Sequence, residues 1–329
     1  MMVSHWRSSL HKLHKLGYQL GLGFLALGLS SCALSNPGAV SSGSGADDKP
    51  QVVSTSTIIS DWTQQIGGDE IHLTSILKPG DDPHVYEPVP QDSRALETAD
   101  LILYNGYNLE PGLLRMIEAA GTNAQKLAVA ETVPPLQLEQ AGQSVPDPHV
   151  WGSAQNAVVM VNAIRDALIE VSPEDQALFT ENADRLEAEL QQLDTWIGRQ
   201  IATIPANQRQ LVTTHDAFQY YANAYGLTVA GTLIGISTEE QPSAQTVQKL
   251  VDDIKSMGIP TIFAETTINP QLITTVAQEA GVKLAPQKLH SDSLGAPGSD
   301  GETYTQMMVA NTRTIVENLG GQFQPFRAE

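Results

Sequence analysis

The chain has 329 residues, enough for two domains, and its 41% hydrophobic and 17% charged content is that of a globular protein, not a disordered one. The formal charge is −19; without the first 31 residues, which hold Arg7, Lys12 and Lys15 and no acid, 15 basic residues remain against 37 acidic ones, or −22. Such acidity argues against nucleic acid and against an anionic membrane surface as partners, and it is compatible with cations. A single cysteine rules out an internal disulfide.

Arg7, Lys12 and Lys15 precede an apolar run from Leu16 to Leu29, with the small Ser30 and Ser31 just before Cys32. This pattern predicts a secretory signal over residues 1–31, with an apolar core too short to favour a membrane span. Leu29-Ser30-Ser31-Cys32 resembles a bacterial lipobox, which implies that Cys32 becomes the lipidated first residue of the mature chain. Residues 32–50 are rich in Gly, Ser, Asn and Asp and predict a flexible tether spanning on the order of 20 to 25 Å.

From Val52 onward short β-type runs alternate with helical ones. Strands are predicted near Val52–Thr57, Ile71–Leu77, Leu101–Tyr104 and Leu127–Ala130, and helices up to Gly67, over Gln91–Ala99, over Pro111–Ala120 and over Ala154–Val171. Ser172 to Pro205 then reads as one long helix. Ser172 stands as N-cap, Pro173 where a missing N–H costs nothing, and Glu174 and Asp175 complement the helix dipole. Leu186, Leu190, Leu193, Ile197, Ile201 and Ile204 recur on one face, and Pro205 ends the helix after roughly 45 Å, long enough to brace two lobes.

The same alternation resumes afterwards, with strands at Gln210–Thr213, Val229–Ile234, Thr261–Ala264 and Leu284–Leu289, and helices over Ala217–Ala224, Ala244–Met257, Gln271–Ala280 and Tyr304–Leu319. The fold class is therefore α/β: an N-terminal lobe over residues 51–171 and a C-terminal lobe over residues 206–329, each a parallel-type sheet flanked by helices, joined by one long backbone helix at residues 172–205. No sequence-level repeat relates the halves. Sheets of this kind bind ligands beyond the carboxyl ends of their strands.

Five of the eight histidines lie outside the signal. His84 follows a strand in the turn Pro79-Gly80-Asp81-Asp82-Pro83, His149 sits in Asp147-Pro148-His149-Val150-Trp151, and His215 directly follows the strand Gln210–Thr213. Asp292 comes after the last strand, in a loop with Gly295, Gly298 and Gly301. By position these four converge in a cleft between the halves, and three imidazoles with one carboxylate suit a divalent transition metal. His72 alternates with Ile71 and Leu73 and reads as a structural or surface residue; His290 is near enough to Asp292 to be a reserve ligand, although an exposed place suits it better.

Lys78-Pro79-Gly80-Asp81-Asp82-Pro83-His84-Val85-Tyr86-Glu87-Pro88, Ala99-Asp100-Leu101 and Tyr104-Asn105-Gly106 resemble the N-terminal motifs of the metal-binding solute-binding lipoproteins of bacterial ABC importers for manganese and zinc (cluster A-I, periplasmic solute-binding family 9). Asp147-Pro148-His149-Val150-Trp151, Thr214-His215-Asp216-Ala217-Phe218, Phe263-Ala264-Glu265, Asp292-Ser293-Leu294-Gly295, Thr303-Tyr304 and Met307-Met308 resemble the rest, so the likeness covers Gln51 to Leu319. It implies two α/β lobes on a single backbone helix, with His84 and His149 as ligands from the first lobe and His215 and Asp292 from the second.

The resemblance also implies Zn2+ or Mn2+ as the transported ligand. Members devoted to manganese usually carry Glu where this chain has His215, and a third nitrogen donor favours Zn2+ along the Irving–Williams order. Against this, Val133 to Pro146 lacks the His-rich acidic loop of many zinc importers. Zinc is favoured, with manganese close behind. Three further residues are candidates for holding the ligands. Glu87 would orient His84 or its turn; Asp216 would fix the tautomer of His215 or, by preference, cap the following helix; Glu265 would pair with the site or with a basic neighbour.

The function expected is that of a binding protein, not an enzyme: a periplasmic or extracytoplasmic monomer, anchored to a membrane through Cys32, that captures the metal between its lobes and delivers it to an ABC permease. The chain has no Gly-x-x-x-x-Gly-Lys-Ser/Thr motif, so the ATPase is a separate chain. Movement of the loop around Asp292 is the expected release step. A zinc-dependent hydrolase with Glu265 as general base is the alternative, opposed by Asp292 in the place a water would need and by the lack of a His-Glu-x-x-His helix. An adhesin-like surface lipoprotein is a third reading, since that role is ascribed to some relatives.

Overall fold

In the computed structural model the described residues are 49–120, 123–140 and 142–328. The predicted signal at 1–31, the tether up to residue 48 and Cys32 lie outside them.

Strands β1 (Gln51–Ser54), β2 (His72–Ser75), β3 (Leu101–Tyr104) and β4 (Gln125–Ala128) form a parallel sheet in the order β2-β1-β3-β4. Successive side chains point to opposite faces: Val52, Leu101 and Leu103 enter one apolar cluster, Val53 and Ile102 another. Both faces must therefore be covered, which is why the central strands β1 and β3 carry short apolar runs while the edge strands β2 and β4 are more polar. Helices α1 (Thr57–Gly67) and α4 (Ala154–Val171) supply Trp62, Ile66, Val161 and Ile164 to the first cluster, while α2 (Pro90–Thr98) and α3 (Pro111–Ala120) supply Leu96, Leu113 and Ile117 to the second.

Between β4 and α4 lies an antiparallel hairpin, β5 (Gln137–Gln140) with β6 (Gln143–Pro146), where the sequence predicts no strand. Leu138 and Val145 face each other as its apolar pair, too few to give a periodic signal. Its turn contains Gly142 at φ +77°, a conformation glycine adopts at little cost.

The C-terminal half holds two two-stranded parallel sheets. Strands β7 (Gln210–Thr213) and β8 (Thr228–Thr232) pair in parallel, as do β9 (Thr261–Ile262) and β10 (Lys283–Leu284). The Phe263 N–H donates to the Val212 carbonyl at 2.9 Å and sets β9 beside β7, giving the order β8-β7-β9-β10. The last strand is much shorter than Leu284–Leu289, because Pro286 has no N–H to give the ladder; Leu289 rejoins it only as an isolated parallel bridge to Glu265. Helices α6 (Gln219–Tyr225), α7 (Ala244–Met257), α8 (Gln271–Ala280) and α9 (Tyr304–Asn318) belong to the same half of the chain.

The connecting helix α5 spans Gln176–Ile201, 26 residues or about 39 Å, and is shorter at both ends than Ser172 to Pro205. The Ser172 hydroxyl donates to the Asp175 carboxylate (2.7 Å) instead of capping a backbone N–H, and Pro173–Asp175 is a separate 3-10 turn. At the other end Arg209 takes the Ala202 and Ile204 carbonyls (2.9 and 3.0 Å) and the Thr203 hydroxyl takes that of Gln200 (2.6 Å). The helix stops before Ile204, the residue that Pro205 forces toward extended backbone. Its buried stripe of Phe179, Leu186, Leu190, Leu193 and Ile197 belongs to a cluster that also holds Val52 and Leu101 of the first lobe and Leu211 and Phe263 of the second. The helix therefore braces both lobes, packing on α1 and α4 on one side and on α6 and α9 on the other.

Candidate metal centre

Each candidate ligand lies outside the strands and α-helices. His84 lies in the 3-10 turn Pro83–Val85 and His149 at the mouth of the turn Val150–Gly152, both in an Asp-Pro-His triplet. In each triplet the aspartate accepts the backbone N–H of the histidine two residues on: Asp82 Oδ1 from His84 and Asp147 Oδ1 from His149, both at 3.0 Å. This is a side-chain-mimicked turn that aims the imidazole. His215 follows β7, and Glu265 follows β9 beside it, so Glu265 Oε1 accepts the His215 N–H at 2.8 Å.

The ring orientations come from the same acids. His149 Nδ1 lies 2.8 Å from Asp147 Oδ1 and His215 Nδ1 lies 2.5 Å from Glu265 Oε2, which fixes Nδ1 as the donor and leaves Nε2 for a metal. The Nε2 atoms converge. His84 Nε2 is 3.2 Å from His149 Nε2, while Asp292 lies 3.4 Å from His149 Nε2 and 3.1 Å from His215 Nε2. One ligand atom from each of the four falls within 4.8 Å of all the others, and all four residues are buried. A tetrahedral ion with bonds of 2.0–2.1 Å holds neighbouring ligands about 3.3 Å apart, so the observed spacings fit a first-row divalent ion.

The charge balance points the same way. Burial works to lower His215, but the carboxylates of Asp292 and Glu265 override it and raise the imidazole well above its usual value. Burial works to raise Asp292, and the three imidazoles override it, His215 foremost, holding the carboxyl well below its usual range. His84 is pushed down to about 3 by burial, with Asp292 opposing and the two neighbouring imidazoles adding, so its ring is a neutral donor. Asp292 Oδ1 and His215 Nε2 are buried without a hydrogen bond, since the 3.1 Å approach of Nε2 to Asp292 lacks the geometry for one. Buried orphans of this kind within a donor set are what a cation satisfies.

Other candidates fall elsewhere. Glu87 is exposed and makes no contact with His84; its expected place is taken by Asp82. Asp216 neither fixes His215, which Glu265 holds, nor caps a backbone: it accepts from Gln219 Nε2 at 2.7 Å, and α6 begins after Phe218. His290 is not exposed but buried, outside the four-residue group, with its ring lodged against Gly301 and Gly295 and nearest in charge to Asp300 at 3.7 Å. His72 is an exposed strand residue. The positioning residues the sequence does not single out are Asp147 and Asp82, although the repeated Asp-Pro-His is a local signal for both. Of the four donors, His84 lines a cleft of about 700 Å³ that also touches Tyr107, Glu131, Pro148, Ile236 and Glu239.

The sequence profile of the zinc-uptake complex component A, periplasmic (ZnuA), matches residues 52–318. The chain belongs to the ZnuA family. This bears out the likeness carried by the motifs. The ZnuA-family chain is 36% identical over 292 residues to the manganese-binding lipoprotein MntA of Bacillus subtilis (strain 168), covering 87% of this chain and 95% of that one. It is 33% identical over 314 residues to the manganese ABC transporter substrate-binding lipoprotein PsaA of Streptococcus pneumoniae serotype 4, covering 93% and 99%. Among solved structures it superposes on the periplasmic zinc binding protein TroA from Treponema pallidum with a TM-score of 0.78 at 34% identity, over 82% of this chain and 99% of that one. The Mn-bound periplasmic metal binding protein from Candidatus Liberibacter asiaticus gives 0.74 at 26% identity, over 82% and 100%.

Proposed function

We propose that this chain is an extracytoplasmic receptor that holds Zn2+ or Mn2+ on His84, His149, His215 and Asp292 and hands it to an ABC permease driven by a separate ATPase. One observation carries the reading: four buried donor atoms, two from each half of the chain, gathered within 4.8 Å. The names of its relatives, a manganese-binding lipoprotein, a manganese ABC transporter substrate-binding lipoprotein and a periplasmic zinc binding protein, support it. The division at 51–171, 172–205 and 206–329 goes with this reading, as do a monomeric state and a lipid anchor at Cys32.

Three nitrogens and one carboxylate favour Zn2+ over Mn2+ along the Irving–Williams order. Glu265 spends both oxygens on His215, at Nδ1 and at the backbone N–H, so it is not poised as the general base of a hydrolase. The test is a titration of the metal-free protein with Zn2+ and Mn2+ against a chelator of known affinity. One-to-one tight binding is expected, with zinc the tighter; no tight site would sink the reading.

A further inference from the structure

His84 is the donor that faces the open cleft, and the segment that carries it is a surface loop: Lys78, Pro79 and Gly80 are exposed, and Asp81 and Asp82 are half-buried. The stretch that carries Asp292 is the opposite, with every residue from His290 to Leu294 buried. It is also fastened along its length. Asn311 accepts the His290 N–H (2.8 Å) and donates to its carbonyl (2.7 Å), Trp151 Nε1 donates to the Ser291 carbonyl (3.0 Å), and the Leu294 N–H donates to Thr57 Oγ1 (2.9 Å).

The Lys78–His84 loop meets the C-terminal half of the chain through two hydroxyls. The Gly80 N–H donates to Ser293 Oγ at 2.8 Å, from a turn whose Gly80 stands at φ +90°. Thr238 Oγ1 donates to Asp82 Oδ2 at 2.6 Å, and the other oxygen of that carboxylate accepts the His84 N–H. A chain of two hydrogen bonds thus runs from Thr238 to the backbone of His84, and a second tie, from Ser293, sits one residue from Asp292. His149 and His215 each have a carboxylate on ring Nδ1, whereas Asp82 grips His84 by its backbone.

We propose that Ser293 and Thr238 are positioning residues that clamp the Lys78–His84 loop over the donor set, and that the metal leaves through the cleft when this loop, not the Asp292 loop, lets go. The proposal rests on the metal-receptor reading above. Local opening draws on segments with exposed backbone and few buried contacts, which describes residues 78–82 and not residues 290–294. Neither hydroxyl supplies a donor atom to the metal, so loss of either changes how long the loop stays shut and leaves the ligands in place.

In the full chain in detergent, Zn2+ release to a fast chelator is followed by stopped flow for wild type, Ser293→Ala, Thr238→Val and the double variant. Each single variant is expected to release about tenfold faster and the double variant about a hundredfold faster, with association changed by less than about threefold. Thr238→Ser, which keeps the hydroxyl, returns the wild-type rate. Hydrogen exchange in the metal-free variants rises over residues 78–85 and stays unchanged over residues 290–294, a pattern that general destabilisation does not give. Release rates within about twofold of wild type in both single variants, or lost protection centred on residues 290–294, overturn the clamp. A wild-type chain without a tight one-to-one Zn2+ site overturns the receptor reading itself and the clamp with it.

Discussion

Glu265 holds His215 at two atoms, its Oε1 accepting the backbone N–H at 2.8 Å and its Oε2 facing ring Nδ1 at 2.5 Å. Asp147 does the same for His149 with one oxygen, at 3.0 and 2.8 Å. Each acid sets both where the imidazole sits and which nitrogen it offers. Removing such a partner costs about 10- to 100-fold in metal affinity in well-studied sites. Glu265→Ala and Asp147→Ala are expected to weaken Zn2+ binding within that range, measured by chelator competition. Glu87→Ala and Asp216→Ala, which touch no ligand side chain, stay within about twofold of wild type. Unchanged affinity in Glu265→Ala would remove the positioning role.

Metal binding should expel a proton. Asp292 and Glu265 outweigh burial and raise His215, so in the metal-free chain its imidazole carries a proton near neutral pH, and a metal needs the Nε2 lone pair. The sign follows: affinity falls as pH falls, because protons compete with the metal for the same nitrogen. Calorimetric titration with Zn2+ at neutral pH, repeated in buffers of different ionisation enthalpy, is expected to show about one proton released per ion. Heats independent of the buffer would mean that His215 is already neutral.

The four candidate ligands were legible in the sequence because each follows a strand or a Pro-containing turn, the places where an α/β fold gathers its binding residues. The acids beside them were harder to see. Glu265 precedes Asp292 by 27 residues and meets His215 only because β9 lies next to β7, a register that no local pattern encodes. Asp147 and Asp82 sit two residues before their histidines, and there the repeated Asp-Pro-His is a local signal. The long helix was visible from its apolar stripe, but its ends were not: Arg209 takes the Ala202 and Ile204 carbonyls, just past the last helical residue Ile201. The β5–β6 hairpin, with one cross-strand apolar pair, had no periodicity to detect.

Glu110 provides a pH test of the fold beneath the site. It is buried at the start of α3, where Oε1 accepts from Thr55 Oγ1 (2.8 Å) and from the Asn105 N–H (2.7 Å), while Oε2 has no partner. Asn105 in turn donates through Nδ2 to the Pro148 carbonyl at 3.0 Å, next to His149. Burial pushes the Glu110 carboxyl up to about 7 from its ordinary 4.5, although the two hydrogen bonds to Oε1 oppose it. Because the folded value is raised, folding favours the protonated form. The stability this gives is fully present below the unfolded value and is lost as pH rises through about 7, a decline on the order of 3 kcal/mol. Glu110→Gln keeps the shape and the acceptor but cannot ionise. Urea unfolding of the metal-free chain is expected to show wild type losing stability between about pH 5 and 8 and Glu110→Gln losing much less. Parallel declines in the two proteins would place the titrating group elsewhere.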